Sequence, residues 1–465
     1  MISWQRAIAW GIAFLAAGPW AEGRCEAAGR NVVLVVADDQ GLDAGCYGNR
    51  VLRTPHIDAL AAQGTRFDFA FCTTASCSPS RSVILTGLYN HANGQYGLQH
   101  AEHHFTTRDF VRGLPVLLAD EGYRTCSIGK VHVQPDSAYK FERFMNDGIQ
   151  GGRNAVKMAE NAEAFMREAD PRPFFIYFCP TDPHRAVRGF ANDVAHPRVT
   201  ETRYEPGDVL VPEFLTDQPE VRRELAEYYQ AISRVDQGVG RLMQGLKDSG
   251  HDGDTLVLYL SDNGVPFPGA KTNLYDSGTH LPLIVRSPDQ KHRGGACRAL
   301  VNWVDIAPTI LEFSGVKPPP YALHGRSLLK ILDETDPPGW DQVFGSHTFH
   351  EVTMYYPMRS IRTRQYKLIL NLAHPLPYPF AQDLFDSPSW QAALERKDVF
   401  IGRRSVAAYV QRPRVELYDV KADPGELVNL ADHPDQARTL ADLESRLKAW
   451  QQQTKDPWLI KYVHE

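Results

Sequence analysis

Chemistry-bearing residues recur at the ends of apolar runs in this chain. Asp38 and Asp39 follow the run at residues 31–37, and Lys130 and His132 follow the run at 125–128. Asp182 and His184 follow residues 174–178, and Asp262 and Asn263 follow 255–261. The runs at 31–37, 174–178 and 255–261, rich in Val, Ile, Leu and Phe, read as strands buried on both faces of a parallel sheet, and 125–128 is expected to be a similar strand. Ligands in open α/β sheets bind beyond the carboxyl ends of the strands, so four strands carry acids, an amide, a cation and two imidazoles toward one crevice. An Asp after a strand also serves as a turn former or helix cap. Each pair alone therefore says little, and the repetition carries the argument. Asp38, Asp39, Asp262 and Asn263 offer only hard oxygen donors, a set that suits Ca²⁺ first and Mg²⁺ second and disfavours zinc. In Cys77-Ser78-Pro79-Ser80-Arg81, Pro79 suits the first helical position with Ser78 as N-cap. Cys77 then lies at the positive end of a helix, where backbone N–H groups favour an anion. A buried cysteine beside a capped helix is the alternative reading of the same spacing.

The elements that must position these residues follow from periodicity. Helical patterns at 57–63, 114–121, 161–168, 221–248 and 306–313 alternate with the strands, and a further strand is expected at 283–285. Strand alternating with helix implies a parallel or mixed sheet covered on both faces. After about residue 345 the pattern changes to strand-like runs at 358–364 and 366–372, a third at 415–419 and a closing helix near 437–452. The expected organisation is a catalytic α/β unit over 29–345 and a smaller α+β unit with an antiparallel sheet over 346–465. Residues 1–28 read as a secretory signal, with Arg6 ahead of a short apolar run at 7–17 and small residues after it. That run falls short of the roughly 20 residues a membrane span needs. No Asn-x-Ser/Thr sequon occurs, which favours the periplasm or exterior of a bacterium over a eukaryotic secretory route. The seven cysteines are spread too widely for a disulfide framework and lack zinc spacing, with one or two bridges left open.

Composition narrows the function classes. With 43% hydrophobic and 23% charged residues, the 465-residue chain has the material for a large buried core. The net charge of -6 and the scatter of basic residues argue against a nucleic-acid binder or an extended polyanion clamp, while leaving room for a small cationic pocket.

The Cys77-to-Arg81 motif, with Thr86-Gly87 downstream, resembles the signature of the type I sulfatases, in which the cysteine is oxidised to formylglycine. Ala37-Asp38-Asp39, Gly129-Lys130-Val131-His132, Asp182-Pro183-His184-Arg185 and Ser261-Asp262-Asn263-Gly264 stand in that family's order along nearly the whole mature chain. Ser76 to Arg81, His103-His104-Phe105, Asp236 to Gly240, Thr272 to Tyr275, His350 to Met354, Tyr356 to Arg359 and Asp456-Pro457-Trp458 are similar to the sulfamidase (N-sulfoglucosamine sulfohydrolase) branch. Two departures are Lys271, where that branch carries arginine, and the lack of a cysteine after Arg185.

The resemblance implies an alkaline-phosphatase-like α/β fold. It also implies a sulfatase acting on the N-sulfate of terminal N-sulfoglucosamine in heparan sulfate or heparin saccharides. Hydrated formylglycine at position 77 would be the nucleophile, and Ca²⁺ would be held by Asp38, Asp39, Cys77, Asp262 and Asn263. His132 would be the base that ejects sulfate, Arg81 and Lys130 would stabilise charge, His184 would protonate the leaving nitrogen, and Lys271 would hold the sulfuryl oxygens. Asp182, Arg185, His350 and Glu351 are candidates for sugar recognition, with salt bridges or caps as the alternative. The partners implied are a sulfated glucosamine saccharide and a formylglycine-generating maturation enzyme, with a homodimer left open. An O-sulfatase on another sulfated glycan would share every catalytic residue. A non-catalytic glycan-binding protein would follow if Cys77 stayed unmodified. A phosphatase of the same superfamily would normally use Ser or Thr and a two-metal site with histidine ligands.

Overall fold

The computed structural model describes residues 30–459, so the expected signal segment 1–28 lies outside the described residues. The chain builds an eight-stranded sheet from β1 (Asn31–Ala37), β2 (Thr65–Phe71), β3 (Arg124–Gly129), β4 (Arg143–Phe144), β5 (Phe174–Cys179), β6 (Thr255–Ser261), β7 (Leu283–Arg286) and β8 (Gly295–Asn302). The spatial order is β4-β3-β5-β1-β6-β7-β2-β8. All neighbours pair in parallel except β7, which runs antiparallel to both β6 and β2. The sheet is therefore mixed, as the alternation of strands and helices implied.

Helices cover both faces: α1 (Pro55–Gln63), α2 (Cys77–Thr86), α3 (Leu114–Asp120), α4 (Ala155–Met166), α5 (Pro219–Asp248) and α6 (Ile306–Ser314). The period-2 alternation of β1 feeds two cores. Val32, Leu34 and Val36 pack with Val83 and Leu85 of α2, Leu118 of α3 and Ile310 of α6. Val33, Val35 and Ala37 pack with Ile57 of α1, Ala159 of α4 and Leu242 of α5. Each such fully buried aliphatic contributes about 1.5–3 kcal/mol, which fixes β1 at the sheet centre and its acidic end over the crevice. The α4–α5 contact needs Gly238, because a Cβ there would meet the Cβ of Ala155 at 2.4 Å. Asp236 on α5 caps α1 by accepting from the backbone N–H groups of His56 (3.0 Å) and Ile57 (2.8 Å).

The structure corrects several element boundaries. α4 starts at Ala155, ahead of the expected 161, because the Asn154 side chain accepts from Lys157 N at 3.0 Å and so nucleates the helix earlier. β2 and β8, absent from the sequence expectation, pair in parallel with each other at one edge region of the sheet, where polar residues interrupt the apolar pattern. All six cysteines among the described residues are free, so neither of the disulfides left open forms among them.

A second, antiparallel sheet comprises β9 (Gln342–Phe349), β10 (Tyr355–Thr363), β11 (Tyr366–Asn371) and, beyond the hairpin of β12 (Phe400–Ile401) and β13 (Arg404–Ser405), β14 (Val415–Asp419). Its order is β14-β11-β10-β9, with α7 (Ala437–Gln453) closing the unit. The expected division at 345 falls inside β9, which pairs with β10 from Gln342 onward. We propose that the smaller unit begins at that strand.

Candidate active site

Helix α2 brings Cys77 to the carboxyl ends of the strands, and all ten of its residues are buried. Its N-cap is Ser76 in extended conformation (φ −151, ψ 130), and Ser80 N bonds to Ser76 O at 2.9 Å. Pro79 is thus the third helical residue and Ser78 is not the cap, which corrects the sequence expectation. Proline is tolerated there because first-turn N–H groups have no intrahelical acceptor. The Ser78 hydroxyl instead accepts from Gln99 N at 3.1 Å. Cys77 remains at the positive end of the helix, as expected.

Around it the strand ends converge. Asp39, with a left-handed φ of 66°, accepts on Oδ1 from Asn263 Nδ2 (2.6 Å) and on Oδ2 from Lys271 Nζ (2.9 Å). The Cys77 thiol lies 4.0 Å from Asp39 Oδ1. Asp38 accepts from Lys130 Nζ at 2.6 Å, and its Oδ1 has no hydrogen-bond partner. Asp262 Oδ2 accepts from Arg81 Nε at 2.8 Å, while its Oδ1 accepts from the backbone of Asp39 and Asn263. Ser80 Oγ donates to Asp262 O at 2.5 Å, tying α2 to the end of β6. Asp38, Asp39, Cys77 and His184 bring their donor atoms within 4.8 Å of one another.

The electrostatics of this cluster are unbalanced. Burial pushes Asp39 and Asp262 upward, outweighing Lys271 and Arg81, with Asp38 adding repulsion to both. Asp38 is held well below the ordinary range: burial opposes ionisation, but Lys130, His184 and Arg81 together overcome it. Three buried carboxylates share one pocket, and the buried oxygens Asp38 Oδ1 and Asn263 Oδ1 lack partners. These residues fit a divalent cation, which would relieve the repulsion among the three carboxylates and take up both orphaned acceptors.

The remaining expected residues sort differently. Lys271 also donates to Asp383 Oδ2 at 2.7 Å and lies 3.2 Å from His184 Nε2. His184 Nδ1 faces Arg185 O at 2.6 Å, so Nδ1 donates and Nε2 accepts from the lysine. Burial, then Lys271, lowers His184 to about 4. His132 Nε2 meets His100 Nδ1 and its Nδ1 has no partner; burial, with Lys130 and His100, keeps the ring well below its ordinary value. Asp182 does not face the cleft: its two oxygens accept from Arg153 (2.6 Å) and Arg234 (2.7 Å), and its carbonyl accepts from Asp38 N. The expected sugar contact at Asp182 is corrected to a structural anchor. Arg185 lines the cleft but is held by Glu224 and by Pro266 O at 2.7 Å. His350 and Glu351 line the cleft as well; His350 Nδ1 bonds Ser76 Oγ at 2.8 Å, and Glu351 accepts from Gln382 N at 2.8 Å.

Cys77, Lys130, His132, His184, Arg185, Lys271, His350 and Glu351 line a cleft of about 1340 Å³. Sequence reasoning missed Asp383, His100 and Arg153. His100 stands in a histidine-rich stretch with His103 and His104, a usable signal. Arg153 sits in a turn, and Asp383 in a four-residue helix too short to show periodicity.

Carboxylates for a cation, set beside lysines for an anionic substrate at the carboxyl ends of this mixed sheet, place the chain among the alkaline-phosphatase-like α/β hydrolases. It belongs to the sulfatase family: the family described as Sulfatase matches residues 30–316, and the one described as N-sulphoglucosamine sulphohydrolase, C-terminal, matches 270–392. The chain is 42% identical to N-sulphoglucosamine sulphohydrolase of Homo sapiens, over 94% of this chain and 93% of that protein. It is 29% identical to an ulvan-active sulfatase of Formosa agariphila, over 90% and 80% respectively. Among solved structures, BT4656 in complex with its substrate D-glucosamine-2-N,6-O-disulfate superposes with a TM-score of 0.67 at 22% identity, covering 92% of this chain and 98% of that one. A phosphonate monoester hydrolase of Agrobacterium radiobacter superposes equally well, with a TM-score of 0.69 at 19% identity over 91% and 96%, so the fold alone does not select the substrate. The enzyme is a hydrolase, and its family generally uses formylglycine and a divalent metal.

Proposed function

We propose that this sulfatase hydrolyses the N-sulfate of terminal N-sulfoglucosamine in saccharides derived from heparan sulfate or heparin, with position 77 in its formylglycine form. One observation carries the reading. The segment matching the N-sulphoglucosamine sulphohydrolase C-terminal family, 270–392, is the one that supplies Lys271, His350, Glu351 and Asp383 to the cleft. The 42% identity with the human enzyme of that name supports the same substrate class. A cleft lined by a few cations, in a chain of net charge -6, suits a saccharide end more than a long polyanion.

Asp38, Asp39, Asp262 and Asn263 would hold the divalent cation, Ca²⁺ ahead of Mg²⁺, which supplies Lewis acidity at the sulfuryl group when bound. Hydrated formylglycine supplies two hydroxyls on one carbon, one to attack sulfur and one whose deprotonation releases sulfate, which a thiol cannot do. Lys271, its three hydrogens already engaged, acts on the sulfuryl oxygens through its charge, as Lys130 and Arg81 do beside position 77. His132, with an unpartnered Nδ1, takes the proton of the second hydroxyl. An amine anion is a poor leaving group, so the nitrogen must gain a proton as the S–N bond breaks. His184 Nε2 passes that proton, drawing on the Lys271 ammonium that donates to it. Arg185, His350 and Glu351 shape the sugar pocket. The protein works in the periplasm or outside the cell; no helix among the described residues is long and apolar enough to cross a membrane.

Incubating matured protein with N-sulfoglucosamine should release inorganic sulfate and free glucosamine in equal amounts. Absence of both products from protein shown by mass to carry formylglycine at 77 would sink the proposal.

A further inference from the structure

The short helix Gln382–Phe385 brings Asp383 to the cleft from the smaller unit. Its position is fixed on two sides. Glu351 accepts from Gln382 N at 2.8 Å, and Asp383 Oδ2 accepts from Lys271 Nζ at 2.7 Å. His184 Nε2 stands 3.9 Å from the same oxygen. The carboxylate therefore sits beside both the Lys271 cation and the imidazole that faces the leaving atom.

Its hydrogen-bonding capacity is barely used. A carboxylate offers about four acceptor positions. Asp383 fills one with Lys271, its buried Oδ1 has no partner, and the side chain as a whole is 22% exposed at the cleft, which leaves Oδ2 with a further acceptor position toward it. All three ammonium hydrogens of Lys271, by contrast, are engaged by Asp39, Asp383 and His184. The pair is thus saturated on the donor side and open on the acceptor side, so what it can still bind is a hydrogen-bond donor.

We propose that Asp383 determines the preference for N-sulfate over O-sulfate by accepting a hydrogen bond from the N–H of the sulfamate. The inference rests on the substrate reading above. A sulfamate carries an N–H at the bridging atom, whereas a sulfate ester carries only oxygen lone pairs there. A carboxylate next to that atom accepts from the first and repels the second. The contact strengthens as the S–N bond breaks and the nitrogen, taking its proton from the His184 side, leaves as an amine, so discrimination appears in kcat/KM. A site built around a substrate N–H disfavours the analogue that lacks it because its acceptor is left unpaired.

The test compares metal-replete, matured wild type with Asp383→Asn and Asp383→Ser on two substrates, N-sulfoglucosamine and 4-nitrophenyl sulfate. Thermal unfolding checks that each variant is folded. The ratio of kcat/KM for sulfamate to that for aryl sulfate should fall about 10- to 100-fold, the range expected for one charged hydrogen bond. Inhibition by free glucosamine, which presents an ammonium at the same place, should weaken in both variants relative to inhibition by N-acetylglucosamine. Equal losses on the two substrates would mean that Asp383 acts only by holding Lys271, and would overturn the proposal. So would an unchanged ratio. Wild type that hydrolyses the aryl sulfate but not the sulfamate would refute the substrate reading itself and this inference with it.

Discussion

Lys271 donates a 2.7 Å hydrogen bond to Asp383, 112 residues further along the chain, so a buried cation of the α/β unit is held by an acid of the antiparallel unit. Lys271 is 1% exposed and donates to Asp39 as well. The site is therefore completed only when the two units pack together.

This arrangement makes Lys271 sensitive to substitution. Lys271→Ala leaves Asp39 and Asp383 without their shared cation, and breaking a buried pair in this way costs about 3–5 kcal/mol. Loss of one charge contact to the transition state should also lower kcat by roughly 10²- to 10³-fold. Urea unfolding and steady-state kinetics measure the two effects separately. Wild-type kcat in the folded variant would remove Lys271 from the catalytic set.

Maturation supplies a second prediction. Burial drives the Cys77 thiol well above its ordinary value despite Lys130 and Lys271 nearby, so an unmodified cysteine is both a poor nucleophile and chemically unable to complete turnover. Cys77→Ala should abolish sulfate release while leaving the unfolding midpoint close to wild type. Mass analysis of the peptide spanning position 77 identifies the active fraction. Full turnover by protein that retains the thiol would contradict the mechanism.

The metal reading predicts that exhaustive chelation removes activity and that Ca²⁺ restores it better than Zn²⁺, because the donors are oxygens. Asn263→Ala should lower bound calcium, measured by equilibrium dialysis with elemental analysis, since Asn263 Oδ1 is one of the orphaned acceptors. Undiminished calcium in that variant would exclude Asn263 as a ligand.

The smaller unit has its own anchor. Arg359 on β10 bonds both oxygens of Asp456, at 2.6 and 2.9 Å, with both side chains fully buried. Asp456→Asn should cost about 3–5 kcal/mol, because a buried guanidinium loses its counter-charge. An unfolding free energy within about 1 kcal/mol of wild type would show that the pair is dispensable.

Acid should loosen the same region. His91 is fully buried between Ser346 Oγ and Thr454 Oγ1, each at 2.9 Å. Burial, reinforced by Arg359 and opposed by Asp456, lowers it to about 3. The unfolded chain then binds a proton below about pH 6.5 that the native state refuses. The stability this neutral ring contributes is complete above pH 6.5 and declines as pH falls toward 3, by about 2 kcal/mol at pH 5. Comparing wild type with His91→Gln at pH 7.5 and pH 5 isolates that loss. An equal pH dependence in both proteins would assign it to other groups.

Much of this organisation was legible in the residues. The buried strands that end in Asp38, Asp182 and Asp262 announced themselves as apolar runs, and the strand ends at Asp38, Lys130 and Asp262 do meet at one crevice. The edge region was not legible, because β2 alternates with Arg66 and Asp68 and β8 is interrupted by Arg298. Asp182 illustrates the limit for sites. Its position after a strand suggested a ligand contact, yet Arg153 and Arg234, distant in sequence, consume its charge. Asp383 illustrates the converse, since only tertiary packing brings its helix to Lys271.

Cleavage of S–N in preference to S–O separates an N-sulfatase from an O-sulfatase. Matured enzyme should be assayed in parallel on N-sulfoglucosamine and on N-acetylglucosamine 6-O-sulfate, with kcat/KM determined for each from sulfate release. The account predicts a higher value for N-sulfoglucosamine. A higher value for the 6-O-sulfate would leave a sulfatase with this fold and carboxylate cluster but would contradict the assignment of the sulfamate as its substrate.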